Sequence, residues 1–446
     1  MIRILIRHIK RLFPERGLVR LSWHRAKSFV AALRYGFPAR RLTVIGITGT
    51  DGKTTTVGMV SHILRQSGLK AGSLSTAFFE VNGKTTWNAT QKTSPSPFAI
   101  QRFLRLLQSE GCTHAVLEYS SHGLVQGRSA WTFPAIAGIT NTSPEHLDYH
   151  KSMERYRKDK GILFRMLRPN GTKVLHFEDE TYPLFKKYSS SRTVIYMEQE
   201  PPVSFRLDAN ETLLWLSDIS AKPDSTSAVI HVREAGSNAA HTCSLVLPVP
   251  GTFNLENALS AIGCALGAGI SPEQSSSLLR SYTGVPGRME RIGGPQNFSV
   301  YVDFTVTPAS YEKTLTALRT TLQPGKRLLV LTGSCGNRMR EKRPLVGKIC
   351  SDLADIVIVT NEDPYNEDPE KIIDDVWAGI DQNKVQAERI SNRTDALRKI
   401  FTLAREGDAV LLSGKGSDTT MMTSSGQVPW NEREIAHAML EKMFHQ

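Results

Sequence analysis

Short apolar runs alternate with helical patterns along most of the chain. Residues 42–47 form a run typical of a buried strand, and a helical pattern follows over residues 53–66. Further strand-like runs lie at residues 115–117 and 135–140, with a helical pattern at residues 97–110. This alternation of strand and helix predicts a mostly parallel sheet covered by helices.

A second series of the same kind lies beyond a turn-rich link at residues 284–287. Its strand-like runs are residues 300–302, 327–331, 356–359 and 409–412. We therefore predict two α/β domains, with the crevice between them as the place for a reaction.

Residues 185–247, between the two series, have a different texture. Short alternating segments at residues 213–216 and 228–232 predict a small antiparallel insertion or sheet edge. The predicted domains are a basic helical amino-terminal arm at residues 1–41, a central P-loop domain at 42–286 and a carboxy-terminal Rossmann-like α/β domain at 287–446.

The arm differs from the rest of the chain in charge. Its 41 residues hold eleven Lys/Arg against the single acid Glu15, so it carries most of the net charge of +12 and the body is almost neutral. Apolar residues fall at helical spacing between these cations: Ile2, Leu5, Ile6, Ile9, Leu12 and Phe13. Such a helix could lie on an anionic membrane surface or grip phosphates of a substrate or nucleic acid; alternatively, its apolar stripe packs on the body.

Composition narrows the class of protein. The chain has 446 residues, 40% hydrophobic and 22% charged, and no apolar run approaches the roughly 18 residues that a membrane span needs. No secretory apolar segment is present near the start, and five scattered cysteines without a C-x-x-C pair are typical of reduced thiols. We expect a cytoplasmic monomer, and the lack of an aromatic-studded basic sheet argues against a nucleic-acid partner.

A glycine-rich loop follows the first predicted strand, reading GITGTDGKTTT over residues 46–56. Backbone amides of residues 49–54 can wrap phosphate oxygens, Lys53 adds a positive charge, and the Thr54 hydroxyl is placed to coordinate Mg²⁺. The strict G-x-x-x-x-G-K-[ST] pattern fails, because Ile47 stands where its first glycine belongs. A glycine turn without a ligand is the alternative.

Two polar residues stand just past predicted strand ends, Glu118 and Asn141. Ligands of parallel sheets collect at such positions, and Glu118 could complete a Mg²⁺ site with Thr54. Taken alone, a carboxylate after a strand is more often a helix cap or a surface acid.

The segment EHLDYHKSMERYRKDK at residues 145–160, with the glycine loop and YSSHGL at 119–124, resembles the Mur ligase family and, among its members, the MurE type. The likeness runs from about residue 44 to 433. It implies an ATP-dependent ligase that phosphorylates a carboxylate and lets an amine attack the acyl phosphate. The implied partners are a UDP-muramoyl-peptide acceptor and a free amino acid, and the implied pathway is peptidoglycan synthesis.

The resemblance also implies a set of site residues. For ATP these are Gly49, Thr50, Asp51, Gly52, Lys53, Thr54, Thr55, Asn254, Asn257, Arg288 and Asp303. Helix capping is the competing role for Asn254. For Mg²⁺ they are Thr54, Glu118, His146 and Lys160, where Lys160 matches the family lysine that becomes a carbamate. Lys53, Lys160 and His146 would be catalytic.

For the acceptor and the amino acid, the implied residues are Thr93, Ser94, Ser120, Gln126, Arg128, Arg338, Glu362, Asp363 and Asp418. Arg338 matches an arginine that holds the α-carboxylate. Family members that add diaminopimelate carry an arginine where this chain has Tyr365, which cannot form that charge-assisted fork. Because Glu362, Asp363 and Asp418 could pair with an ammonium group, we expect a basic amino acid such as lysine.

Other departures leave alternatives open. Val306 replaces a family histidine, Ser417 departs from the family's GKGHE segment, and only the arm stands where the family has its UDP-binding domain. Either Arg25, Arg40 and Arg41 meet the acceptor's pyrophosphate, or the acceptor is not UDP-linked. A folylpolyglutamate-like ligase with another carboxylate acceptor and a non-catalytic nucleotide-binding scaffold are the rival interpretations.

Overall fold

The structure is a computed structural model that describes residues 14–88, 90, 92–237 and 239–445. The helix predicted over residues 2–13 lies outside the described residues. The helices are α1 (Leu18–Arg34), α2 (Lys53–Gln66), α3 (Pro97–Ser109), α4 (Ser121–Val125), α5 (Leu147–His150), α6 (Met153–Lys160), α7 (Ile162–Arg165), α8 (Tyr182–Lys186), α9 (Phe253–Gly267), α10 (Pro272–Leu279), α11 (Pro308–Thr321), α12 (Lys342–Leu353), α13 (Pro369–Trp377), α14 (Arg393–Leu403) and α15 (Glu432–Phe444), with a 3₁₀ turn at Pro38–Arg41.

The strands are β1 (Thr43–Thr48), β2 (Ala71–Leu74), β3 (Phe78–Val81), β4 (Lys84–Trp87), β5 (His114–Glu118), β6 (Ile136–Ile139), β7 (Thr172–His176), β8 (Arg192–Tyr196), β9 (Glu211–Ala221), β10 (Thr226–Glu234), β11 (His241–Leu247), β12 (Glu290–Ile292), β13 (Ser299–Asp303), β14 (Leu328–Thr332), β15 (Ile356–Val359), β16 (Gln386–Arg389), β17 (Ala409–Ser413), β18 (Thr420–Thr423) and β19 (Gly426–Pro429). The two predicted series of α/β units are confirmed.

The first sheet holds eleven of these strands in the order β11-β10-β9-β8-β7-β6-β1-β5-β2-β3-β4. Its centre is parallel: β1 pairs with β5 on one side and β6 on the other. These central strands are buried on both faces because α2 and α9 pack on one side and α3 with the residues around Leu163 packs on the other. Their carboxyl ends therefore meet at one edge, which is where ligands bind in such sheets.

The alternating region forms an extension of this same sheet. Strands β9, β10 and β11 pair antiparallel, as the alternation predicted, while β8 joins β9 in parallel. The region is thus an edge of the central domain rather than a separate unit.

The second sheet has the order β12-β13-β17-β14-β15-β16, parallel except for β12. The link before it is a tight turn: Gly287 has φ +72°, and a Cβ there would lie 2.2 Å from the backbone carbon of Gly416. Only glycine allows the link to pass so close to the loop after β17.

Several contacts among the described residues join the two sheets' domains. Lys313 on α11 pairs with Glu256 on α9 at 2.7 Å, and the Thr307 hydroxyl donates to Asp51 at 3.3 Å. The Tyr301 hydroxyl donates to the Pro223 carbonyl at 2.8 Å. The domains therefore face each other closely enough for one site to use residues of both.

The described part of the arm lies on the central domain. Arg16 makes two hydrogen bonds to Asp159, at 2.7 and 2.9 Å, and the Ser28 hydroxyl on α1 donates to the Gly127 carbonyl at 2.6 Å. No helix within the described residues combines the length and apolar character needed to cross a bilayer.

Candidate active site

A cleft of about 740 Å³ opens between the two domains. The glycine loop, Glu118 and the start of α9 line it from the central domain, while the β13–α11 loop and the loops after β14, β15 and β17 line it from the second. Most of the residues implied for ATP, metal and amino acid meet here.

The glycine loop holds its shape through two glycines with positive φ. A Cβ on Gly49 would lie 1.8 Å from the Thr140 hydroxyl, and one on Gly52 would lie 2.1 Å from the Asn257 amide oxygen. Both positions require glycine because a side chain would collide with these polar atoms as well as strain the backbone. The loop is therefore packed closely against Thr140 and Asn257.

Two amides of the loop are already used. Asn141 accepts from the Thr50 amide at 2.8 Å through its carbonyl and from the Asp51 amide at 3.1 Å through its side chain. Asn141 thus shapes the loop. The amides that remain available to an anion are those of the first turn of α2, which have no partner within the helix. Lys53 begins that turn and donates to the Thr50 carbonyl at 2.7 Å, folded back over the loop.

Glu118 lies buried beside Thr54. The Thr54 hydroxyl donates to this carboxylate at 3.0 Å, and Thr76 donates to it through its amide at 2.7 Å and its hydroxyl at 3.0 Å. Glu118 is thus neither a surface acid nor a helix cap, because α4 is capped by Ser120. The two oxygen groups fit a hard cation such as Mg²⁺.

Lys160 at the end of α6 is a buried amine. It donates to the Gly49 carbonyl at 2.5 Å and lies 4.3 Å from the centre of the Tyr156 ring. It forms no ion pair with any carboxylate of the described residues. Burial, and secondarily the charge of Lys53, lowers the pKa of this amine well below its ordinary value. The charges of Asp179, Asp51 and Glu145 oppose this shift from beyond ion-pair distance. A buried cation without a direct ion pair is costly, which favours the neutral amine.

The histidines of the resemblance have different surroundings. His146 lines the cleft and its ring lies 4.7 Å from that of His122; burial lowers the pKa of both, so both are neutral at pH 7. His150 faces away from the cleft and lies 2.6 Å from Asp159 and 3.0 Å from the Ser121 hydroxyl. Asp159 is the carboxylate that Arg16 of the arm also holds.

Of the residues implied for the acceptor, Thr93 lines the cleft, and Ser94, Ser120 and Arg128 are joined by hydrogen bonds. The Thr93 hydroxyl lies 2.8 Å from the Thr76 hydroxyl. The Ser94 hydroxyl accepts from the Ser120 amide at 3.0 Å, and its carbonyl accepts from Arg128 at 2.5 Å. Gln126, just after α4, lies within reach of the Tyr149 hydroxyl.

The residues implied for the base of the nucleotide are on the first turn of α9. Asn254 donates to the Pro250 carbonyl at 2.7 Å, and Asn257 donates to the Asn254 side chain at 3.2 Å. Asn254 does not cap the helix, whose N-cap is Thr252. Both side chains line the cleft, as do Thr55, Arg288 and Asp303.

Arg288 and Asp303, both implied for ATP, line the cleft from the second domain. The Arg288 guanidinium lies over the Phe304 ring at 4.3 Å, and Asp303 accepts from the Met289 amide at 2.7 Å. Burial lowers the pKa of Arg288 and raises the pKa of Asp303, with each charge opposing the shift of the other.

At the end of the cleft implied for the amino acid, the charges are paired in a way that the sequence did not predict. Arg338 lies 5.6 Å from the centre of the Tyr365 ring, and it forms no ion pair with a carboxylate of the described residues. Asp363 accepts from the buried Lys415 at 2.9 Å with each oxygen, and Asp418 lies 3.4 Å from the same amine.

Lys415 therefore satisfies two of the three acids that were expected to pair with a substrate ammonium. The third acid, Glu362, is buried. Among the described residues, its carboxylate accepts one hydrogen bond, from the Cys335 thiol at 2.9 Å. Burial and the charge of Asp363 raise the pKa of Glu362. It is the one acid of the set that lacks a cationic partner within ion-pair distance.

Sequence reasoning missed several residues of the cleft. Lys342 donates to the Val306 carbonyl at 2.9 Å, so the loop that lacks the family histidine is held through its backbone instead. Cys335, Lys415 and the Lys313–Glu256 pair were also missed. Their partners lie 27 to 57 residues away in sequence, and no local pattern marks them.

Comparison with known proteins follows the two domains. A family model described as the Mur ligase middle domain matches residues 47–265, and one described as the Mur ligase, glutamate ligase domain matches residues 287–416. The two matches divide at the link before β12.

Among curated proteins, the UDP-N-acetylmuramoyl-L-alanyl-D-glutamate–2,6-diaminopimelate ligase of Trichormus variabilis is 35% identical over 93% of this chain and 80% of its own length. The UDP-N-acetylmuramyl-tripeptide synthetase of a Roseiflexus species is 35% identical over 93% of this chain and 81% of its own length.

Solved structures show the same likeness. A UDP-N-acetylmuramoyl-L-alanyl-D-glutamate–2,6-diaminopimelate ligase aligns with TM-score 0.60 and 25% identity over 91% of this chain and 79% of that one. The MurF ligase of Thermotoga maritima in complex with ADP aligns with TM-score 0.64 and 18% identity over 94% of this chain and 84% of that one, which is a likeness of fold.

Proposed function

This chain belongs to the Mur ligase family, and we propose that it uses ATP to join a basic amino acid to the free carboxylate of a UDP-N-acetylmuramoyl dipeptide, in peptidoglycan precursor synthesis. Mur ligases are ATP-dependent, and relatives at 35% identity are named for a muramoyl-dipeptide acceptor. The observation that carries the proposal is the single cleft, which has the glycine loop at one end and Arg338 with Glu362 at the other.

At the phosphate end, the proposed role of the first turn of α2 is to bind the β- and γ-phosphates of ATP. Its residues line the cleft, and Lys53 would leave the Thr50 carbonyl to reach a bound phosphate. Asn254 and Asn257 would face the base, and Arg288 with Asp303 would close over the nucleotide from the second domain.

The donor set beside the loop fits Mg²⁺. Thr54 and Glu118 present a hydroxyl and a carboxylate 3.0 Å apart, and the ion would neutralise phosphate charge when bound. His146 is neutral and lines the cleft, so its imidazole would be available to coordinate a metal ion.

We further propose that Lys160 is carbamylated. As an amine it is buried without an ion pair to any carboxylate of the described residues, and it would repel a cation near Gly49. Reaction of the neutral amine with CO₂ forms an N–C bond, releases a proton and converts the position into a carboxylate-like ligand. Lys158, two residues earlier on α6, is an exposed lysine paired with Glu154 and serves as its matched control.

The reaction has two bond-forming steps. An acceptor carboxylate oxygen attacks the γ-phosphorus of ATP, and a new O–P bond forms. The bond between the γ-phosphorus and the bridging oxygen breaks, and ADP leaves with that oxygen and the bonding electrons. The incoming amine then attacks the acyl carbon, an amide C–N bond forms, and phosphate leaves as the amine loses a proton. Thr93, Ser94, Ser120, Gln126 and Arg128 would position the acceptor for the first step.

Charge at the far end of the cleft supports a basic amino acid. Arg338 would hold its α-carboxylate bidentately, and Glu362 would face its side-chain ammonium. Tyr365 offers no positive charge for the second carboxylate of diaminopimelate, the amino acid in the names of several relatives. Lysine is the proposed substrate.

The deciding measurement is amino-acid-dependent phosphate release from ATP, with UDP-N-acetylmuramoyl-Ala-Glu as acceptor and lysine, ornithine and diaminopimelate as candidates. We expect turnover with lysine. Faster turnover with diaminopimelate would contradict the charge argument, and no turnover by folded, ATP-binding protein would contradict the proposed acceptor.

The carbamate has its own test. Removing dissolved CO₂ should slow the enzyme, and bicarbonate should restore it. Lys158→Ala should respond as the wild type does, whereas Lys160→Ala should be inactive at every bicarbonate concentration. A wild-type rate that is indifferent to bicarbonate, with no extra density on Lys160 in a crystal map, would rule the carbamate out.

A further inference from the structure

Helix α1 has two faces of opposite kind. Toward the body it buries small residues, Ser28, Ala31 and Ala32. Toward solvent it presents large apolar side chains: Leu18 is 85% exposed, Val19 60%, Trp23 64%, Val30 53% and Leu33 60%. At about 100° per residue, these five positions fall within roughly 140° of the helix circumference. They form one outward apolar face.

This face is a concentration rather than a scatter. Of the thirteen large apolar side chains exposed among the described residues, six lie on this 17-residue helix, the sixth being Phe29. Phe29 packs against Trp131, 5.4 Å between ring centres, so the apolar surface continues beyond the helix. Single exposed apolar residues are ordinary, but contiguous ones mark an interaction surface.

Cations border the apolar face. By the same helical geometry Arg25 lies along one edge, and Lys27 and Arg34 lie along the other. Within the part of the chain that the structure describes, none of these three forms an ion pair with a carboxylate. The helix contains no acidic residue, and residues 40 and 41 add two exposed arginines just beyond it.

We propose that α1 docks on the anionic phospholipid surface of a bilayer, lying flat with its apolar face among the headgroups and acyl ends. An interfacial helix combines a Leu/Trp/Phe face with Lys/Arg borders, which is the pattern of α1. Trp23 falls at the margin of the face next to the cationic edge, where an aromatic ring meets both apolar and polar surroundings.

Charge separates this occupant from a second copy of the chain. A symmetric dimer through α1 would place the same apolar face on itself and bring two rows of unpaired cations together. The sequence of residues 1–13 contains four more cations, Arg3, Arg7, Lys10 and Arg11, and no acid. Anionic lipid instead supplies both the apolar phase and the counter-charge.

The test is co-sedimentation of the full chain with vesicles, either pure phosphatidylcholine or equal parts phosphatidylcholine and phosphatidylglycerol. We expect partition to the anionic vesicles, weakened by salt, and little partition to the neutral ones. Trp23→Glu with Leu33→Glu should reduce the partition by at least about tenfold, since two apolar side chains leave the bilayer.

The matched control is Val203→Glu with Leu345→Glu. It makes the same change of charge at exposed apolar positions, 94% and 51% accessible, one of them also on a helix. This variant should sediment with anionic vesicles as the wild type does. Both double variants should retain the wild-type melting temperature, because all four side chains are exposed.

Four results would overturn the proposal. These are failure to sediment with anionic vesicles, equal sedimentation with neutral ones, and equal loss in both double variants. The fourth is binding that disappears on deletion of residues 1–13 yet ignores the α1 substitutions. A wild-type dimer in solution that Trp23→Glu with Leu33→Glu converts to a monomer would assign the face to a second copy.

Discussion

The two ends of the cleft are built in different ways. At the end proposed for phosphate, most of the site comes from one segment: Gly49, Gly52, Lys53 and Thr54 lie within six residues, and Glu118 joins them from the adjacent strand. At the amino-acid end, Glu362, Asp363 and Lys415 come from distant loops and depend on one another for charge balance.

Under the proposed function, the two ends must recognise different groups. Phosphate is the same in every nucleotide, so backbone amides on a fixed loop suffice. Amino acids differ in side-chain charge. Selection among them therefore depends on buried charges, whose number and pairing differ from one specificity to another. Sequence motifs therefore predict the end proposed for phosphate well and the end proposed for the amino acid poorly.

The largest expected effect comes from removing the loop cation. Lys53→Ala should lower kcat/KM for ATP by about 10³-fold, because charge that develops on the phosphates loses its nearest cation. Lys158→Ala, an exposed lysine on α6, should stay within twofold of wild type. A Lys53→Ala enzyme that retained a tenth of wild-type activity would show that the phosphate end does not depend on the loop in this way.

At the opposite end, Lys415→Met should chiefly affect stability. It leaves Asp363 and Asp418 buried without their cation, at a cost of about 3 kcal/mol, and should lower the melting temperature clearly. Lys399→Met, at an exposed pair with Glu388, should change it little. Equal melting temperatures in these two variants would mean that the buried acids find other partners.

Glu362→Gln should change recognition rather than folding. Because it removes the carboxylate proposed to face the ammonium group, KM for lysine should rise about 30-fold while KM for ATP stays constant. Glu406→Gln, on an exposed loop, provides the control. If KM for ATP rose as much as KM for lysine, Glu362 would not belong to the amino-acid end alone.

The smallest effect lies where the two domains meet. Burial and the nearby Glu256 charge raise the pKa of Glu198 to about 7. A carboxyl whose folded pKa is raised binds its proton more tightly in the folded state, so the contribution of Glu198 to stability should fall as pH rises from about 4.5 to 7 and then level off.

Glu198→Gln, which mimics the protonated acid, should lack this fall. The difference should be about 1 kcal/mol, because solvent reaches Glu198 and weakens the coupling. Thermal unfolding at a series of pH values measures it. Parallel stability curves for both proteins would indicate that Glu198 titrates normally.

Sequence patterns predicted the architecture closely. The strand before the glycine loop, the helix Lys53–Gln66 and the parallel strands of both domains follow from local apolar periodicity, because buried parallel strands leave a continuous apolar signal. The glycine loop and Glu118 were also readable, since chain order alone places them at one sheet edge.

What escaped prediction depends on tertiary contacts. Nothing near residue 415 shows that this lysine neutralises Asp363, and nothing near residue 342 shows that its amine holds the Val306 carbonyl. The outward face of α1 was missed for another reason. Its apolar residues have the spacing of an ordinary packed helix, and only exposure reveals that the small residues face the body.

Helix α1 is not joined to the body by a flexible tether. Arg16 is clamped to Asp159 just before the helix starts, and Ser28 is bonded to Gly127 in its middle. A molecule resting on this helix would therefore keep one tilt and diffuse in two dimensions with its cleft opening in one fixed direction. Its reactants would then arrive from a restricted range of angles, so the surface it rests on would decide which solutes find the cleft first.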